Sequence, residues 1–167
     1  MRIYLTGGTG LLGSHFADLA IARGVDLVAL VRRSSKASHL ESIGAALSFG
    51  DLRDRESLVA GMDDCDAVVH AASPLGNWTP PEVYHEVTRE GTRHVVEAMR
   101  LNGVKRLVHI STFNVHGLDP TVGRPVSERD GYGRRFLPYD YHARAKIAAE
   151  EIVRRAAEYG ELQATVL

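Results

Sequence analysis

The residues that point most directly to chemistry are glycines near the start of the chain. In the run Thr6-Gly7-Gly8-Thr9-Gly10-Leu11-Leu12-Gly13 they fit both G-x-G-x-x-G and the wider T-G-x-x-G-x-x-G spacing. The run follows the apolar segment Ile3-Tyr4-Leu5 and precedes an amphipathic helical pattern from Ser14 to Arg23. At such a turn, glycines let the backbone approach a pyrophosphate, and the free N–H groups of the helix N-terminus bind the anion. The sequence therefore predicts a dinucleotide-binding site.

The residues that follow the second predicted strand bear on which dinucleotide is bound. NAD sites of this kind usually place Asp or Glu at the end of that strand, where it accepts hydrogen bonds from the ribose hydroxyls. Here Val31 occupies the position, and it is followed by Arg32, Arg33, Ser34 and Lys36. Two guanidinium groups can bind a 2′-phosphate, so the sequence favours NADP(H) over NAD(H). The alternative is a solvated basic loop.

Apolar segments and helical patterns alternate along the chain. Continuous apolar strands that alternate with helices are typical of a parallel sheet covered on both faces. We therefore predict an α/β fold with a doubly wound parallel sheet, the Rossmann fold, in strand order 3-2-1-4-5-6. The predicted strands are Arg2–Thr6, Leu27–Val31, Ala46–Phe49, Ala67–Ala71, Leu107–Ser111 and Gln163–Leu167. The predicted helices are Gly13–Arg23, Lys36–Ile43, Arg55–Gly61, Pro81–Leu101 and Pro138–Tyr159.

Two predicted loops follow the carboxyl ends of strands, where open α/β sheets bind their ligands. They are Ser73–Pro80 and the longer stretch from Thr112 to Leu137. The second exceeds the usual length of a connection, which favours a functional loop.

Length and composition limit the classes of protein to consider. The 167 residues, with 44% hydrophobic and 25% charged side chains, suit one globular domain. A net charge of -1 gives no indication of nucleic acid or an anionic membrane as partner. The apolar stretches have strand length, too short to cross a bilayer. The single cysteine, Cys65, fits a reducing cytoplasm, and the eight histidines show no spacing typical of metal ligands.

Six short segments occur in a fixed order along nearly the whole chain. They are Thr6–Gly13, Gly50-Asp51-Leu52, Val68-Val69-His70-Ala71-Ala72, Glu90-Gly91-Thr92-Arg93, Val104-Lys105-Arg106-Leu107-Val108 and Ala145-Lys146-Ile147-Ala148-Ala149-Glu150. In order and spacing they resemble the signatures of the extended short-chain dehydrogenase/reductases, the NAD-dependent epimerase/dehydratase group. Two further stretches look closest to the 3β-hydroxysteroid (sterol) dehydrogenase branch: Ala72–Glu86, which contains Asn77 and Trp78, and Phe136-Leu137-Pro138-Tyr139.

This resemblance implies hydride transfer between a nicotinamide and a hydroxyl or carbonyl carbon. In the family, a Ser or Thr hydroxyl polarises the reacting oxygen and a Tyr phenol passes the proton. A Lys four residues after the Tyr binds the ribose and lowers the pKa of the phenol, which is otherwise near ~10. Thr112 matches the hydroxyl and Lys146 matches the lysine. The position of the tyrosine, however, holds His142.

Three interpretations of that departure are open. Spacing of i, i+4 places His142 and Lys146 on one helix face, and imidazole can accept or donate a proton near neutral pH, so His142 itself can relay the proton. Alternatively a local distortion lets a phenol take part. The candidates are Tyr141, about 100° around the helix, and Tyr139, on the same face if the helix opens at Pro138. Finally, the chain can bind nucleotide without turnover.

The resemblance also implies the remaining contacts. Asp51, followed by Leu52, matches the residue that contacts the adenine. Thr88 stands where the family often has Asn, which helps to orient the active-site loop. The residues expected to bind the cofactor are Gly7, Gly10, Leu11, Leu12, Gly13, Arg32, Arg33, Asp51, Leu52, Ala71, Ala72, Ser73 and Lys146.

These observations predict an NADP(H)-preferring oxidoreductase that acts on a small molecule. The alternatives are a nucleotide-sugar epimerase or dehydratase and a non-catalytic NADP(H)-binding sensor. We expect residues 1–167 to form one NAD(P)-binding domain that is truncated in its sixth strand. The resemblance implies a C-terminal substrate region beyond the sixth strand, which we expect to lie outside these residues. Because relatives commonly pair through the two longest helices, a homodimer is expected by resemblance.

Overall fold

A computed structural model describes residues 1–74, 76, 79–118 and 125–167. Its six strands pair in parallel in the order β3-β2-β1-β4-β5-β6, which confirms the predicted doubly wound fold. The strands are β1 (Arg2–Thr6), β2 (Asp26–Val31), β3 (Ala46–Phe49), β4 (Ala67–His70), β5 (Arg106–His109) and β6 (Gln163–Val166).

Two hydrophobic cores cover the two faces of this sheet. Successive side chains of a strand point to opposite faces. Tyr4 and Leu5 of β1 are accordingly both fully buried, Tyr4 in one core and Leu5 in the other. Val68 and Val69 of β4 divide in the same way. Burial on both faces explains why the sequence shows continuous apolar strands here rather than alternating ones.

The helices cover both faces, and one of them departs from the α-helical pattern. A π-helical segment, Tyr84–Glu90, lies inside the predicted helix Pro81–Leu101. It separates two α-helices, α4 (Pro81–Val83) and α5 (Gly91–Leu101). Within the described residues, no helix is long and apolar enough to span a membrane. The helices are α1 (Leu11–Ala22), α2 (Ser38–Ser42), α3 (Arg55–Gly61), α4 (Pro81–Val83), α5 (Gly91–Leu101) and α6 (Tyr141–Glu158), and short 3-10 turns cover Phe113–His116 and Glu128–Asp130.

The start of α6 differs from the prediction. We expected the helix to open at Pro138, but it begins at Tyr141. Asp140 is the N-cap residue, because its side chain accepts a hydrogen bond of 3.3 Å from the Ala143 N–H and so satisfies a free donor of the first turn. Tyr139 therefore precedes the helix and does not share a face with Lys146.

Three strand ends converge at one edge of the sheet. In the register of the sheet, Thr6 of β1 lies beside His70 of β4, and His70 lies beside His109 of β5. The glycine turn, the segment that begins at Ala71 and the segment that begins at Ile110 therefore leave the sheet next to one another. This convergence positions the site described below.

Candidate active site

A cavity of about 560 Å³ opens where β1, β4 and β5 end. Its size is typical of sites for small molecules and cofactors. Arg33, alone among the predicted site residues, lies instead at a second cavity of about 370 Å³, which shares Arg32 and Asp51 with the first. The predicted residues that line the larger cavity are Gly7, Gly10, Leu11, Leu12, Gly13, Arg32, Asp51, Leu52, Ala71, Ala72, Ser73, Thr112, His142 and Lys146.

The glycine turn has no room for side chains at two of its positions. Gly7 has a φ of +79°, in the left-handed region, and a Cβ there would lie 2.7 Å from the backbone nitrogen of Ala72. A Cβ on Gly13 would overlap the carbonyl oxygen of Gly7. Gly10 is less constrained, since its Cβ would lie 3.3 Å from that oxygen. The turn, the start of α1 and the end of β4 can pack this closely only because Gly7 and Gly13 lack a Cβ.

The N-terminus of α1 faces this cavity without a side-chain cap. Gly10 is the N-cap residue, and the first turn of the helix carries no acidic side chain. Its N–H groups are therefore available to an anion, and the helix dipole favours one there. Leu11 is 82% exposed and Leu12 51% exposed. This backbone cradle fits the pyrophosphate of a dinucleotide.

The end of β2 supplies basic rather than acidic groups. The strand ends at Val31, and the backbone N–H of Arg32 donates to Ser35 Oγ at 3.2 Å, which shapes the turn that follows. The guanidinium of Arg33 lies 5.8 Å from the centre of the Phe49 ring. Across the cavity, Asp51 accepts a hydrogen bond of 3.0 Å from the Arg53 N–H, so its carboxyl group also stabilises a turn.

Lys146 is buried at the inner end of the cavity. It is 3% exposed, and its Nζ donates to the carbonyl oxygen of Ile110 at 2.7 Å. Burial lowers the pKa of Lys146 from 10.5 to about 8, while Glu150 acts in the opposite direction. The ammonium form therefore predominates at neutral pH.

His142 lies one turn before Lys146 and lines the same cavity. Its ring is half-buried and meets the ring of Tyr84 edge-on, with 5.9 Å between the ring centres. Burial lowers the pKa of His142 below its usual 6.5, the positive charge of Lys146 lowers it further, and Asp140 opposes both. The imidazole is therefore neutral at physiological pH and can accept a proton.

Thr112 supplies the predicted hydroxyl. It precedes the 3-10 turn Phe113–His116, and its Oγ1 accepts a hydrogen bond of 3.3 Å from the Asn114 N–H. Because Thr112 is the acceptor in that bond, its own O–H can donate to a substrate oxygen. Ser111 also lines the cavity, but its hydroxyl donates to Glu150.

No phenol lines the cavity among the residues that the structure describes. Tyr139 and Tyr141 are 56% and 39% exposed, and neither is among the described residues that line the cavity. Tyr84 is buried, but its hydroxyl donates to the carbonyl oxygen of Gly76 at 2.7 Å. Of the three interpretations, the geometry thus leaves proton relay by His142 and binding without turnover. Asn77 and Trp78 lie outside the described residues.

Sequence reasoning missed a cluster around Glu150, which is 3% exposed. This side chain accepts hydrogen bonds from Ser111, from the Tyr132 hydroxyl at 3.2 Å and from Arg154 at 3.5 Å. Tyr132 belongs to the long loop, so the cluster attaches that loop to α6. Glu150 follows Lys146 by four residues, which places both on one face of the helix, but that spacing does not identify Ser111 or Tyr132 as partners of Glu150.

Comparisons with known proteins identify the family of this chain. Residues 3–167 match the family described as "NAD dependent epimerase/dehydratase family". A 4-hydroxy-2-methyl-3-oxo-4-farnesyl-3,4-dihydroquinoline-1-oxide ketoreductase of Stigmatella aurantiaca is 33% identical over 157 residues, which are 93% of this chain and 46% of that protein. A human sterol-4-alpha-carboxylate 3-dehydrogenase, decarboxylating, is 29% identical over 91% of this chain and 39% of its own length.

The fold of this chain is also similar to that of a solved structure. The UDP-glucose 4-epimerase of Thermus thermophilus, in complex with NAD, superposes with a TM-score of 0.86 at 28% identity, and the match covers 99% of this chain and 54% of that one. The chain thus spans about half the length of the relatives that it matches. It belongs to the NAD-dependent epimerase/dehydratase family.

Proposed function

We propose that this chain binds NADP(H) and promotes oxidation of an alcohol, or reduction of a carbonyl, on a small molecule. The observation that carries the proposal is the single cavity that runs from the glycine turn to Thr112, His142 and Lys146. One end fits the pyrophosphate, and the other gathers a hydroxyl donor, a neutral imidazole and an ammonium group.

The three side chains have separate tasks. The nicotinamide, when bound, accepts or supplies the hydride. In the oxidative direction, the substrate carbon loses that hydride while its hydroxyl proton passes to the neutral imidazole of His142, which leaves a carbonyl group and an imidazolium. Thr112 donates a hydrogen bond to the reacting oxygen, and the Lys146 ammonium holds the ribose. In the reverse direction, the imidazolium returns the proton.

Relatives of both chemical kinds support a redox step without deciding between them. The ketoreductase of Stigmatella aurantiaca and the human sterol dehydrogenase favour net oxidation or reduction. The UDP-glucose 4-epimerase, solved in complex with NAD, favours epimerisation. We place net oxidoreduction first because the ketoreductase is more similar in sequence, at 33% against 28% identity.

The preference for NADP(H) rests on the charges at the end of β2. Arg32 lines both cavities, and Arg33 lines the smaller one. No carboxyl group directly follows Val31; the carboxylates nearby are Asp51, which lines both cavities, and Asp54, which lines the smaller one. The planar guanidinium can donate two hydrogen bonds to a 2′-phosphate.

Two expectations about the whole protein belong to the same proposal. The single cysteine, Cys65, is buried and unpaired, which suits a reducing, cytoplasmic location. Pairing of two copies through the faces of α5 and α6 would follow the resemblance to the family.

Titration with NADPH and separately with NADH, followed by the fluorescence of the reduced nicotinamide, tests this proposal. We expect NADPH to bind at least about tenfold more tightly, a difference of about 1.4 kcal/mol. The opposite preference would contradict the role of Arg32 and Arg33 but leave the pocket intact. No binding of either dinucleotide by the folded chain would contradict the proposal itself.

Binding without turnover is the second candidate function. It is favoured by the absence of a phenol among the described residues that line the cavity. The variant His142→Phe separates the two candidates, because it keeps a ring of similar size but cannot relay a proton. If the chain is catalytic, turnover falls by about 10²–10⁴ while the Kd for NADPH stays unchanged. His142→Tyr, the matched variant, should restore turnover, whereas a chain that only binds shows no activity in any form.

A further inference from the structure

His70 lies at the centre of a hydrogen-bonded network that the proposed chemistry does not use. It is the last residue of β4 and is 1% exposed. Its Nδ1 lies 2.7 Å from Thr6 Oγ1, and its Nε2 lies 3.0 Å from Thr92 Oγ1. The ring thus connects β1, which leads into the glycine turn, with α5 on one side of the sheet.

The partners of the two threonines assign the proton of this imidazole. Thr92 Oγ1 donates to the carbonyl oxygen of Thr88 at 2.6 Å, so it accepts from His70, and Nε2 carries the proton. Nδ1 is then the acceptor, and the Thr6 hydroxyl donates to it. Thr6 Oγ1 in turn accepts the Ala72 N–H at 3.2 Å. A single tautomer therefore satisfies both ring nitrogens and both hydroxyl groups.

Burial keeps this ring in the neutral form. It holds the pKa of His70 well below the usual 6.5, and the charges of His109 and Lys146 act in the same direction. The tautomer is therefore stable across the physiological pH range.

The network also reaches Ser73, two residues after Ala71, from the side of the π-helical segment. Thr88 belongs to the π-helical segment, and its hydroxyl lies 3.0 Å from Ser73 Oγ. Ser73 follows Ala72, whose N–H donates to Thr6. Ala72 and Ser73, which both line the cavity, are thus held from the side of β1 and from the side of the π-helical segment.

A close backbone contact of the glycine turn lies next to this network. Gly7 approaches the Ala71-Ala72 backbone so closely that a Cβ would lie 2.7 Å from the Ala72 nitrogen. That same nitrogen donates to Thr6, the residue before Gly7. We propose that His70 is a positioning residue for the dinucleotide site, because with its proton on Nε2 it holds Thr6 and Thr92 where they keep the Gly7 turn against the Ala71–Ser73 segment. This inference rests on the proposed binding of NADP(H).

Two substitutions of His70 separate the two sides of the network. His70→Asn places an amide oxygen near the position of Nδ1 and keeps the acceptor for Thr6. His70→Gln places an amide N–H near the position of Nε2 and keeps the donor for Thr92. Since the Thr6 side adjoins the glycine turn, we expect His70→Gln to weaken NADPH binding about tenfold and His70→Asn by less than about threefold.

Substitutions of Thr6 repeat the test with less change in volume. Thr6→Val removes the hydroxyl and should weaken NADPH binding about tenfold, whereas Thr6→Ser keeps it and should bind as the unchanged chain does. Tyr4→Phe is the matched control. It removes another buried hydroxyl of β1, one that lies 3.3 Å from Ser48 Oγ and has no connection to the turn. This control should lower stability and leave the Kd unchanged.

Hydrogen exchange of the Ala72 amide provides a readout that needs no cofactor. The amide should exchange at least about tenfold faster in Thr6→Val than in Thr6→Ser or Tyr4→Phe. Equal exchange in Thr6→Val and Thr6→Ser, or a Kd that rises in Tyr4→Phe as much as in Thr6→Val, would overturn the positioning role. If the unchanged chain binds no dinucleotide, the proposed function fails, and the exchange rates still decide whether the network holds the loop. If the His70 variants do not fold, the Thr6 pair decides the question.

Discussion

The two ends of the cavity are determined by different properties of the chain. At the pyrophosphate end, backbone geometry makes the site: Gly7 and Gly13 leave no space for a Cβ, and α1 presents uncapped N–H groups. At the nicotinamide end, the identities of Thr112, His142 and Lys146 make the site, and their backbone would accommodate other residues. A binding end of this kind tolerates no substitution at Gly7 or Gly13, whereas the reacting end can change its chemistry through one residue. Under the proposed function, the replacement of the family tyrosine by His142 is such a change.

The largest expected effect tests the backbone end. Gly13→Ala forces a Cβ against the Gly7 carbonyl oxygen, so the turn must open and the Kd for NADPH should rise by at least about 100-fold, or about 2.7 kcal/mol. Gly24→Ala is the control: Gly24 has a positive φ, +71°, which Gly13 does not have, and no atom of the described residues lies within 4 Å of its Cβ. It should cost about 1–2 kcal/mol of stability and no affinity. Calorimetric titration and urea unfolding measure the two quantities. Equal affinities in the two variants would contradict the comparison.

A buried histidine at the end of β5, next to the cavity-lining Ile110, gives the next effect. His109 is 0% exposed, and neither ring nitrogen has a hydrogen-bond partner within the part of the chain that the structure describes. Burial, followed by the charge of Lys146, lowers the pKa of His109 from 6.5 to about 3. The unfolded chain binds the proton of this imidazole more tightly than the folded chain does. The neutral ring therefore gives the folded chain its full stability above pH ~6.5, and that stability is lost as the pH falls toward about 3.

His109→Phe should remove that dependence. Between pH 7 and pH 5, His109 accounts for a loss of about 2 kcal/mol in the free energy of unfolding, and a phenyl ring fills the same space without titrating. Urea unfolding of both proteins at the two pH values measures the difference. A variant that loses as much stability as the unchanged chain would show that other groups cause the acid sensitivity.

The lowered pKa values of Lys146 and His142 predict a pH profile for alcohol oxidation. The value of kcat/KM should fall about tenfold per pH unit above about 8, where Lys146 loses its proton. It should also fall on the acid side of the lowered pKa of His142, because an imidazolium cannot accept the substrate proton. Initial rates at saturating cofactor between pH 5 and pH 9 measure both limbs. A flat profile between pH 8 and pH 9 would exclude Lys146 from the titration.

The smallest effect concerns the choice of dinucleotide. Arg32→Ala removes one donor to the 2′-phosphate and should raise the Kd for NADPH about 5–10-fold without changing the Kd for NADH. Arg23→Ala, an exposed arginine at the opposite end of α1, controls for the loss of positive charge. Equal losses for NADPH and NADH would mean that Arg32 does not discriminate between them.

The sequence predicted the sheet better than the helices. All six strands lie within two residues of their predicted ends, because continuous apolar runs mark strands that are buried on both faces. The helix expected at Pro138 begins at Tyr141, since Asp140 competes as the cap, and the rule for Pro at the first helical turn does not decide between the two. The π-helical segment Tyr84–Glu90 carries no signal in the hydrophobic pattern.

Within the site, the predictable part is the part that local motifs encode. The glycines can be recognised from spacing, and His142 and Lys146 can be recognised from the resemblance to the family, with the i, i+4 spacing placing both on one helix face. The network of His70 and the cluster of Glu150 join residues that are far apart in the chain, such as Ser111 and Glu150, and form only when the strands are ordered. No pattern within a single element reports such contacts.

Leu11 and Leu12 have a practical consequence for handling the protein. Their apolar side chains stand largely open to solvent at the mouth of the cavity, next to the uncapped start of α1. A bound dinucleotide would cover these side chains. Without it, they form exposed apolar surface that favours self-association. Concentration in the presence of NADPH should therefore yield a clearer, less aggregated solution than concentration without it.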